Sequence, residues 1–447
     1  ADGAARLMFG GNVLSPAEAA AILFVLFFGL LALRVPVAFA LGLAVLPITL
    51  IEPRLGPLLL IGETFNAYNS FILLAVPFFL LTANLMNAGG ITNRLMELAR
   101  TLVGHVPGGL AQVNVVLSFF FAGISGSSTA DAASQSKIFI PAQVKLGMDL
   151  RFSVAITACS SVLAVIIPPS ILMIVWGGIL TVSIGGLFLA GIVPGIMITL
   201  ALMGTVYVYA KRRNYPVFER ATFREILCAA AHAIPALLTP LMIVSGKLFG
   251  WFTATESGCI AVLYATVLSF VVYREMDAKG FWGALLDTGR FASVALFCVG
   301  TASAFGWLLA YYQIPQHMLA GVATWGLGIT GTGFMVAGVF LIVGCFLDAI
   351  PSIIIVGTIL QPMTRAVGMD QIHFALIGII SLAFGLVTPP YGLCLMIASH
   401  IGGIRVIDAM KDVSIMLVPM LSVLALVILF PDLVLAIPRL AAPGMIN

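Results

Sequence analysis

Apolar positions in this chain do not form stripes; they fill long blocks separated by short polar connections. Such blocks fall near 17–33, 35–51, 70–88, 152–179, 187–210, 229–249, 254–273, 286–311, 371–399 and 413–437. A helix needs about 20 predominantly apolar residues to cross the hydrocarbon of a bilayer, so each block reads as a membrane span. Two further stretches, 106–145 and 331–366, each hold an apolar run, a Gly/Ser or Gly/Pro interruption and a second short run. Both read as helical hairpins that enter the bilayer and return on the same side. The pattern predicts an all-α polytopic membrane protein.

Composition removes the soluble alternative. Of 447 residues, 61% are hydrophobic and 9% are charged, whereas soluble domains carry about 25% charged residues. No Asp, Glu, Lys or Arg occurs in 152–210 or in 291–347. The net charge of +3 comes with no basic run that would suit nucleic acid. The six cysteines stand singly in apolar segments, with no CxxC and no His/Cys cluster, so no transition-metal site is expected. The first 16 residues form a polar lead-in without a secretory signal pattern.

Charge sets the expected topology. With the basic loop around Lys211, Arg212 and Arg213 in the cytoplasm, 16 of the 21 Lys and Arg fall on that side. Outside remain Arg6, Arg54, Lys247, Arg365 and Arg439. This is the bias of the positive-inside rule, and treating either hairpin as a full span weakens it. Both termini come out periplasmic. Trp176, Trp251, Trp307 and Trp325 fall near outer span ends and Trp282 near an inner one, as interfacial anchors would.

Two passages resemble each other. Gly123–Ala132 reads GISGSSTADA and is followed by Ile167-Pro168-Pro169-Ser170; Val343–Ser352 reads VGCFLDAIPS and is followed by Thr388-Pro389-Pro390-Tyr391. In the charge-based topology the two units run in opposite directions, as inverted repeats do. Prolines donate no backbone hydrogen bond and block the preceding helical turn. The carbonyls they orphan are tolerated in a membrane interior only where they line a polar cavity or bind something. Carbonyls with Ser/Thr hydroxyls suit a cation such as Na⁺, and helix N-termini at the hairpin tips suit an anion. Asp131 and Asp348 are intramembrane carboxylates by position, either functional groups or N-caps. Glu256 opens a span and has the same two readings. Asn66, Tyr68, Asn69, Asn84 and Asn87 read as interhelical glue, Arg94, Glu97 and Arg100 as a solvated helix face, and the five histidines as background.

With those motifs in view, the sequence resembles the large membrane subunit (M, DctM-like) of TRAP transporters, the tripartite ATP-independent periplasmic family. The resemblance is carried by FILLAVPFFLLTANLMNAGGI (71–91), LVGHVPGGLAQVNVV (102–116), FAGISGSSTADAA (121–133), IIPPS (166–170), TATESG (253–258), ASAFGWLL (302–309) and LVTPPYG (386–392), across essentially the whole chain. It implies an inverted-repeat elevator that imports an organic anion, such as a C4-dicarboxylate, sialic acid or another carboxylate, with two or more Na⁺. It implies two protein partners, a small membrane subunit (Q), expected as a separate chain, and a periplasmic substrate-binding protein (P). It places one sodium at Ser125, Ala164, Ile167 and Pro169 and another at Gly344, Gly385, Thr388 and Tyr391. Ser127, Asp131 and Asp348 become the substrate-facing groups. Ala164 stands where the family often has Gly, and Ser128-Thr129 where it often has Ala-Val; neither removes a carbonyl.

The implied division is a lead-in (1–16), scaffold spans with the first helices of repeat one (17–90), a transport segment with an interfacial helix, hairpin and interrupted span (91–179), scaffold spans with the basic loop (180–285), a second transport segment (286–404) and a C-terminal scaffold span (405–447). A binding-protein-independent Na⁺/dicarboxylate elevator or an ion antiporter is the runner-up. A membrane enzyme would need a His/Glu or Ser/Lys constellation that the sequence does not contain, and interrupted hairpins argue against an open channel.

Overall fold

The structure is a computed structural model and describes residues 13–317, 326–390 and 392–441. Most of Arg6's lead-in, Trp325 and Tyr391 lie outside the described residues.

The polar connections set where the helices start. Ser15 and Glu18 close a capping box on α1 (Pro16–Ala32), Thr222 and Glu225 on α11 (Phe223–Leu248), and Thr253 and Glu256 on α12 (Ala254–Val272). Each box satisfies N–H groups that a helix start leaves unpaired. Glu256 thus resolves as a cap, its Oε2 accepting from the Thr253 N–H at 2.7 Å. The other helices of this half are α2 (Val37–Ile51), α3 (Pro57–Tyr68), α4 (Phe71–Ala88, opening with a 3₁₀ turn) and the long α13 (Ala278–Tyr311). They pack together: α13 lies against α2, α3 and α4, and α12 lies against α4 and α11. Asn84 Nδ2 donates to Thr288 Oγ1 across α4 and α13 at 2.8 Å, the glue expected of that asparagine.

The amphipathic α5 (Ile91–Val103) leads into a second group of helices. Here α6 (Gly109–Ser125) and α7 (Ser128–Lys145) form the first hairpin, joined by a two-residue tip. The first interrupted span is α8 (Leu150–Val165), a break at 166–170, and α9 (Ile171–Leu180). The long α10 (Ile184–Arg213) follows. After α13 the architecture recurs. The second hairpin pairs α14 (Ile329–Gly344) with α15 (Ala349–Ala366), and the second interrupted span is α16 (Gln371–Gly385) with α17 (Leu393–Gly402). Then come α18 (Val406–Leu429) and a short amphipathic α19 (Pro431–Ala441). By length and apolar composition, seven described helices can cross a membrane, α15 among them.

The repeat has a fixed register. Ser128 and Ala349 begin the return helices and Leu150 and Gln371 begin the interrupted spans, each pair 221 residues apart. Gly123 then matches Gly344, Ala164 matches Gly385, and Pro168-Pro169 matches Pro389-Pro390. The two units also cross. Return helix α7 packs on α17 of the second repeat, and α15 packs on α9 of the first. The side-chain amide of Gln361 on α15 donates to the Leu180 carbonyl at the end of α9 at 2.9 Å.

The structure corrects several expectations. The block 413–437 is two helices, because Phe430-Pro431 ends one and starts the next. The helix α3 has no counterpart among the expected spans; Gly62, Glu63 and Asn66 break its apolar pattern. Trp176 is no interfacial anchor: it has no exposed surface and packs edge-on to Phe374 and tilted to Phe340. Trp251 and Trp282 are exposed, as anchors would be.

Gly378 leaves room for the Trp176 ring, since a Cβ there would lie 2.3 Å from it. Trp176→Ala is expected to cost about 3–5 kcal/mol, the range for emptying a large aromatic site in a core. Gly378→Ala is expected to cost about 1–3 kcal/mol through overpacking. A fluorescence thermal scan in detergent reads both; unchanged melting in both variants would contradict this packing.

Candidate functional site

The first site forms where hairpin one backs on its own repeat's break. Pro168 and Pro169 have no N–H, so the carbonyls of Ala164 and Val165, four residues earlier, lose their helical donors. Val165 is repaired by the Ser170 hydroxyl, which donates to its carbonyl at 2.7 Å. The break is closed from the other side by the hairpin tip. The Ile171 N–H donates to the Gly126 carbonyl at 3.3 Å, and a Cβ on Gly126 would lie 2.9 Å from the Pro169 carbonyl oxygen. Gly126 sits at φ +61°, in the left-handed region, which only glycine occupies at little cost. Ser125 is buried and its Oγ donates to Asp131 Oδ1 at 2.5 Å. The other carboxylate oxygen of Asp131 has no protein partner, although the residue is fully buried. A hydroxyl, a carboxylate and the Ala164 carbonyl released by Pro168, at the C-terminal end of a half-helix, form a donor set suited to a small cation.

The second site repeats the plan with different repairs. Gly344 on α14 lies against Gly385 on α16 so closely that a Cβ on Gly385 would be 2.6 Å from the Gly344 carbonyl carbon. The Gly385 carbonyl accepts from the Thr388 N–H at 3.0 Å and the Leu386 carbonyl accepts from the Cys394 N–H at 2.9 Å. Thr388 Oγ1 donates to the Phe384 carbonyl at 2.8 Å. This break is more open than the first: residues 161–170 are all buried, whereas Thr388 is half-buried and Pro390 exposed. Both Pro-Pro bonds are cis.

Register separates the two aspartates. Asp348 is the N-cap of α15, its Oδ1 accepting from the Ala349 N–H at 2.8 Å, and it is exposed at the tip. Its counterpart in repeat one is Ser127, the half-exposed N-cap of α7. Asp131 matches Ser352 instead, one turn inside the return helix. The structure therefore brings Ser125, Asp131, Ala164, Ile167 and Pro169 together around one break, and Gly344, Gly385 and Thr388 around the other. Ser127 and Asp348 stand at the exposed tips, and Asp131 is enclosed behind its own. Gly126 and Ser170 complete the first site; GISGSS and IIPPS contain them, but only the fold shows which backbone groups they meet.

Residues 24–433 match the family model described as "Tripartite ATP-independent periplasmic transporter, DctM component". The chain is 34% identical over 412 residues to the sialic acid TRAP transporter large permease protein SiaM of Vibrio cholerae, covering 92% of this chain and 96% of that one. It is 35% identical to the C4-dicarboxylate TRAP transporter large permease protein DctM of Pseudomonas aeruginosa (84% and 88% covered) and to the 2,3-diketo-L-gulonate TRAP transporter large permease protein YiaN of Escherichia coli (83% and 87%). Among solved structures, the Alcanivorax borkumensis YdaH transporter superposes with a TM-score of 0.56 at 13% identity, covering 83% of this chain and 87% of that one. At that identity the likeness concerns the fold.

The glycine contact at the second break gives a test of the geometry. Gly385→Ala is expected to destabilise by about 1–3 kcal/mol, because the clash is with backbone rather than a flexible side chain. Gly338→Ala, in α14 with nothing within 4 Å of its added Cβ, is expected to be neutral or stabilising by up to about 1 kcal/mol. Equal melting shifts for the two would exclude the close approach of α14 and α16.

Proposed function

The chain belongs to the tripartite ATP-independent periplasmic transporter family as a DctM component, a multi-pass inner-membrane transport protein and not an enzyme, and on that premise we propose that it imports an organic anion together with Na⁺ by an elevator movement. The observation that carries the reading is the pair of proline breaks, each with orphaned or diverted carbonyls and each backed by a glycine-bearing hairpin.

In this reading the first sodium binds at Ser125 and the carbonyls of Ala164, Ile167 and Pro169. Asp131, expected above among the substrate-facing groups, is enclosed behind the tip and in this reading supplies the negative charge beside the sodium instead. The second sodium binds at Gly344, Gly385, Thr388 and Tyr391. Sodium at each break then meets the negative ends of α8 and α16, while the N-termini of α7 and α15 offer free N–H groups and a positive dipole end to a carboxylate. Ser127 and Asp348 are the accessible tip groups beside that carboxylate. Asp348 alone would repel it, so the bound cations are what make the pocket attractive to an anion.

Helices α1–α4 and α11–α13 form the scaffold. Helices α6–α10 and α14–α18 form the moving transport unit, with both hairpins re-entrant from opposite sides and both termini periplasmic. This assigns α10 and α18, expected above as scaffold, to the moving unit, because they pack on each other and on the interrupted spans, and α13, which reaches into the expected second transport segment, to the scaffold, because it packs on α2, α3 and α4. A small membrane subunit braces the scaffold, and a periplasmic binding protein delivers a carboxylate-bearing substrate.

Reconstitution tests this. The binding protein's ligand is first identified by a thermal-shift screen of carboxylates, and its uptake is then followed in proteoliposomes holding this chain and its small subunit. Uptake is expected to need both an inward Na⁺ gradient and the binding protein. Uptake that proceeds equally well without the binding protein would favour a binding-protein-independent carrier. Asp348→Ala and Thr388→Ala are each expected to lower Na⁺-dependent uptake at least about tenfold, a loss of roughly 1.4 kcal/mol, with membrane expression unchanged. Normal uptake and sodium dependence in both variants would remove these residues from the sites.

A further inference from the structure

The two repeats share a backbone but not an interior. On the buried face of hairpin one lie Asn114, Ser128, Asp131, Gln135, Ser136 and Gln143, each at most 1% exposed. Every one of them has a side-chain polar atom without a protein partner. At the matching positions, 221 residues on, hairpin two carries Met335, Ala349, Ser352, Val356, Gly357 and Thr364. Four of these have no side-chain polar group able to hydrogen-bond well. The other two are satisfied by their own helix: Ser352 Oγ donates to the Asp348 carbonyl at 2.8 Å and Thr364 Oγ1 to the Gln361 carbonyl at 2.9 Å. The architecture therefore stands without a polar interior, and hairpin one carries one in addition.

These groups form a column. Asp131, Gln135 and Gln143 recur at helical spacing on one face of α7, and the 12 residues from Asp131 to Gln143 cover about 18 Å at 1.5 Å per residue. The rungs reach across to neighbouring helices: Ser118 Oγ donates to Gln135 Oε1 at 2.6 Å, and Asn114 Nδ2 donates to Thr157 Oγ1 on α8 at 2.7 Å. The upper end is the Ser125–Asp131 pair at the tip. The lower end is the open end of the hairpin, beside Lys145. Buried polar atoms left without partners are costly, and ordered water is what satisfies them in sites polar enough to hold it.

We propose that hairpin one encloses a hydrated polar column joining the Ser125–Asp131 pair to the hairpin's open end, and that this column is the route by which the sodium at the first site exchanges with the cytoplasm. The second clause rests on the sodium reading above; the first does not. The column gives the cation hydrating oxygens along a path separate from the exposed tips, where the substrate binds and leaves. Hairpin two, with its apolar interior, offers no equivalent path, so the second sodium leaves by the tip.

The two clauses are tested separately on the complete membrane complex in nanodiscs and proteoliposomes. Hydroxyl-radical footprinting compares Phe139, on the column face of α7, with Phe340 in hairpin two; both have no exposed surface. Radicals form from water, so Phe139 is expected to be modified at least about fivefold faster where ordered water lines it. The difference should vanish in Gln135→Val with Asn114→Met, which installs the residues that hairpin two already packs. Equal modification of both phenylalanines in the wild type overturns the column. For the route, internal Na⁺ is titrated against uptake. The double variant is expected to need about tenfold more internal Na⁺ for half-inhibition, with the external Na⁺ requirement unchanged within about twofold. A parallel shift on both sides, or none, overturns the route while leaving the column. Wild-type uptake that ignores Na⁺ altogether would instead remove the function proposed above. Gln135→Asn, which keeps the amide, is expected to retain most of both behaviours.

Discussion

Pro168, Pro169, Pro389 and Pro390 impose the constraint that the surrounding structure answers. Each removes a backbone donor inside an apolar helix, and each carbonyl thereby released must be paired, wetted or ligated. The two breaks answer differently. In the first, Ser170 pairs with Val165, and Gly126 is brought close enough for its carbonyl to receive the Ile171 N–H. In the second, Thr388 and Cys394 supply backbone donors to Gly385 and Leu386. A hairpin also lies against each break at backbone distance, which explains glycine at 126, 344 and 385. A side chain at any of these would push the hairpin off the break.

The hydrophobic blocks located most of the long helices, although α11, α13 and α18 begin six to eight residues before their blocks, and helices break at the Gly/Ser and Pro-Pro interruptions. What escaped was everything that depends on facing rather than depth. Block hydropathy says that Trp176 is apolar and near a span end; only the packing of α9 against α14 and α16 turns it inward. Asp131 and Asp348 look equivalent as the acids of two similar motifs. Their helical positions differ by one turn, since Asp348 replaces Ser127 as a cap while Asp131 lies inside. The short α3 was hidden because its polar residues dilute a pattern read by averaging. The family resemblance supplied the site assignments, which neither hydropathy nor spacing contains; the fold adds which of those residues share a break.

Substituting one repeat's residues for the other's is a way of asking which features the fold requires. Gly123 and Gly344, the Pro-Pro pairs and the capped return helices recur, so they belong to the architecture. The buried carboxylate and amides of hairpin one do not recur, and neither does the exposed carboxylate at the tip of hairpin two. A recurring backbone with unlike chemistry in its halves gives two unlike breaks, one enclosed and one open.

The connections among the helices bear on how such sites could move. Gln361 ties α15 to the end of α9, the Ile171 N–H ties α9 to the first tip, and Tyr209 OH donates to Asp412 Oδ1 across α10 and α18 at 2.8 Å. All of these lie within the second helix group, as the Asn84–Thr288 bond lies within the first. Between the groups, three contacts seat an apolar side chain on a glycine: Ile72 of α4 faces Gly178 of α9, Pro240 of α11 faces Gly123 of α6, and Ile354 of α15 faces Gly306 of α13. These three points carry no directional bond, but elsewhere the groups interdigitate: Leu85 and Met86 of α4 and Ala233 of α11 share one buried cluster with Val113, Leu117 and Phe121 of α6. Opening the first tip alone would break the Ile171–Gly126 hydrogen bond, whereas parting the groups at these three glycines would break none. Hydrogen bonds at the breaks and between α10 and α18 thus hold the second group together internally, while apolar packing joins it to the first.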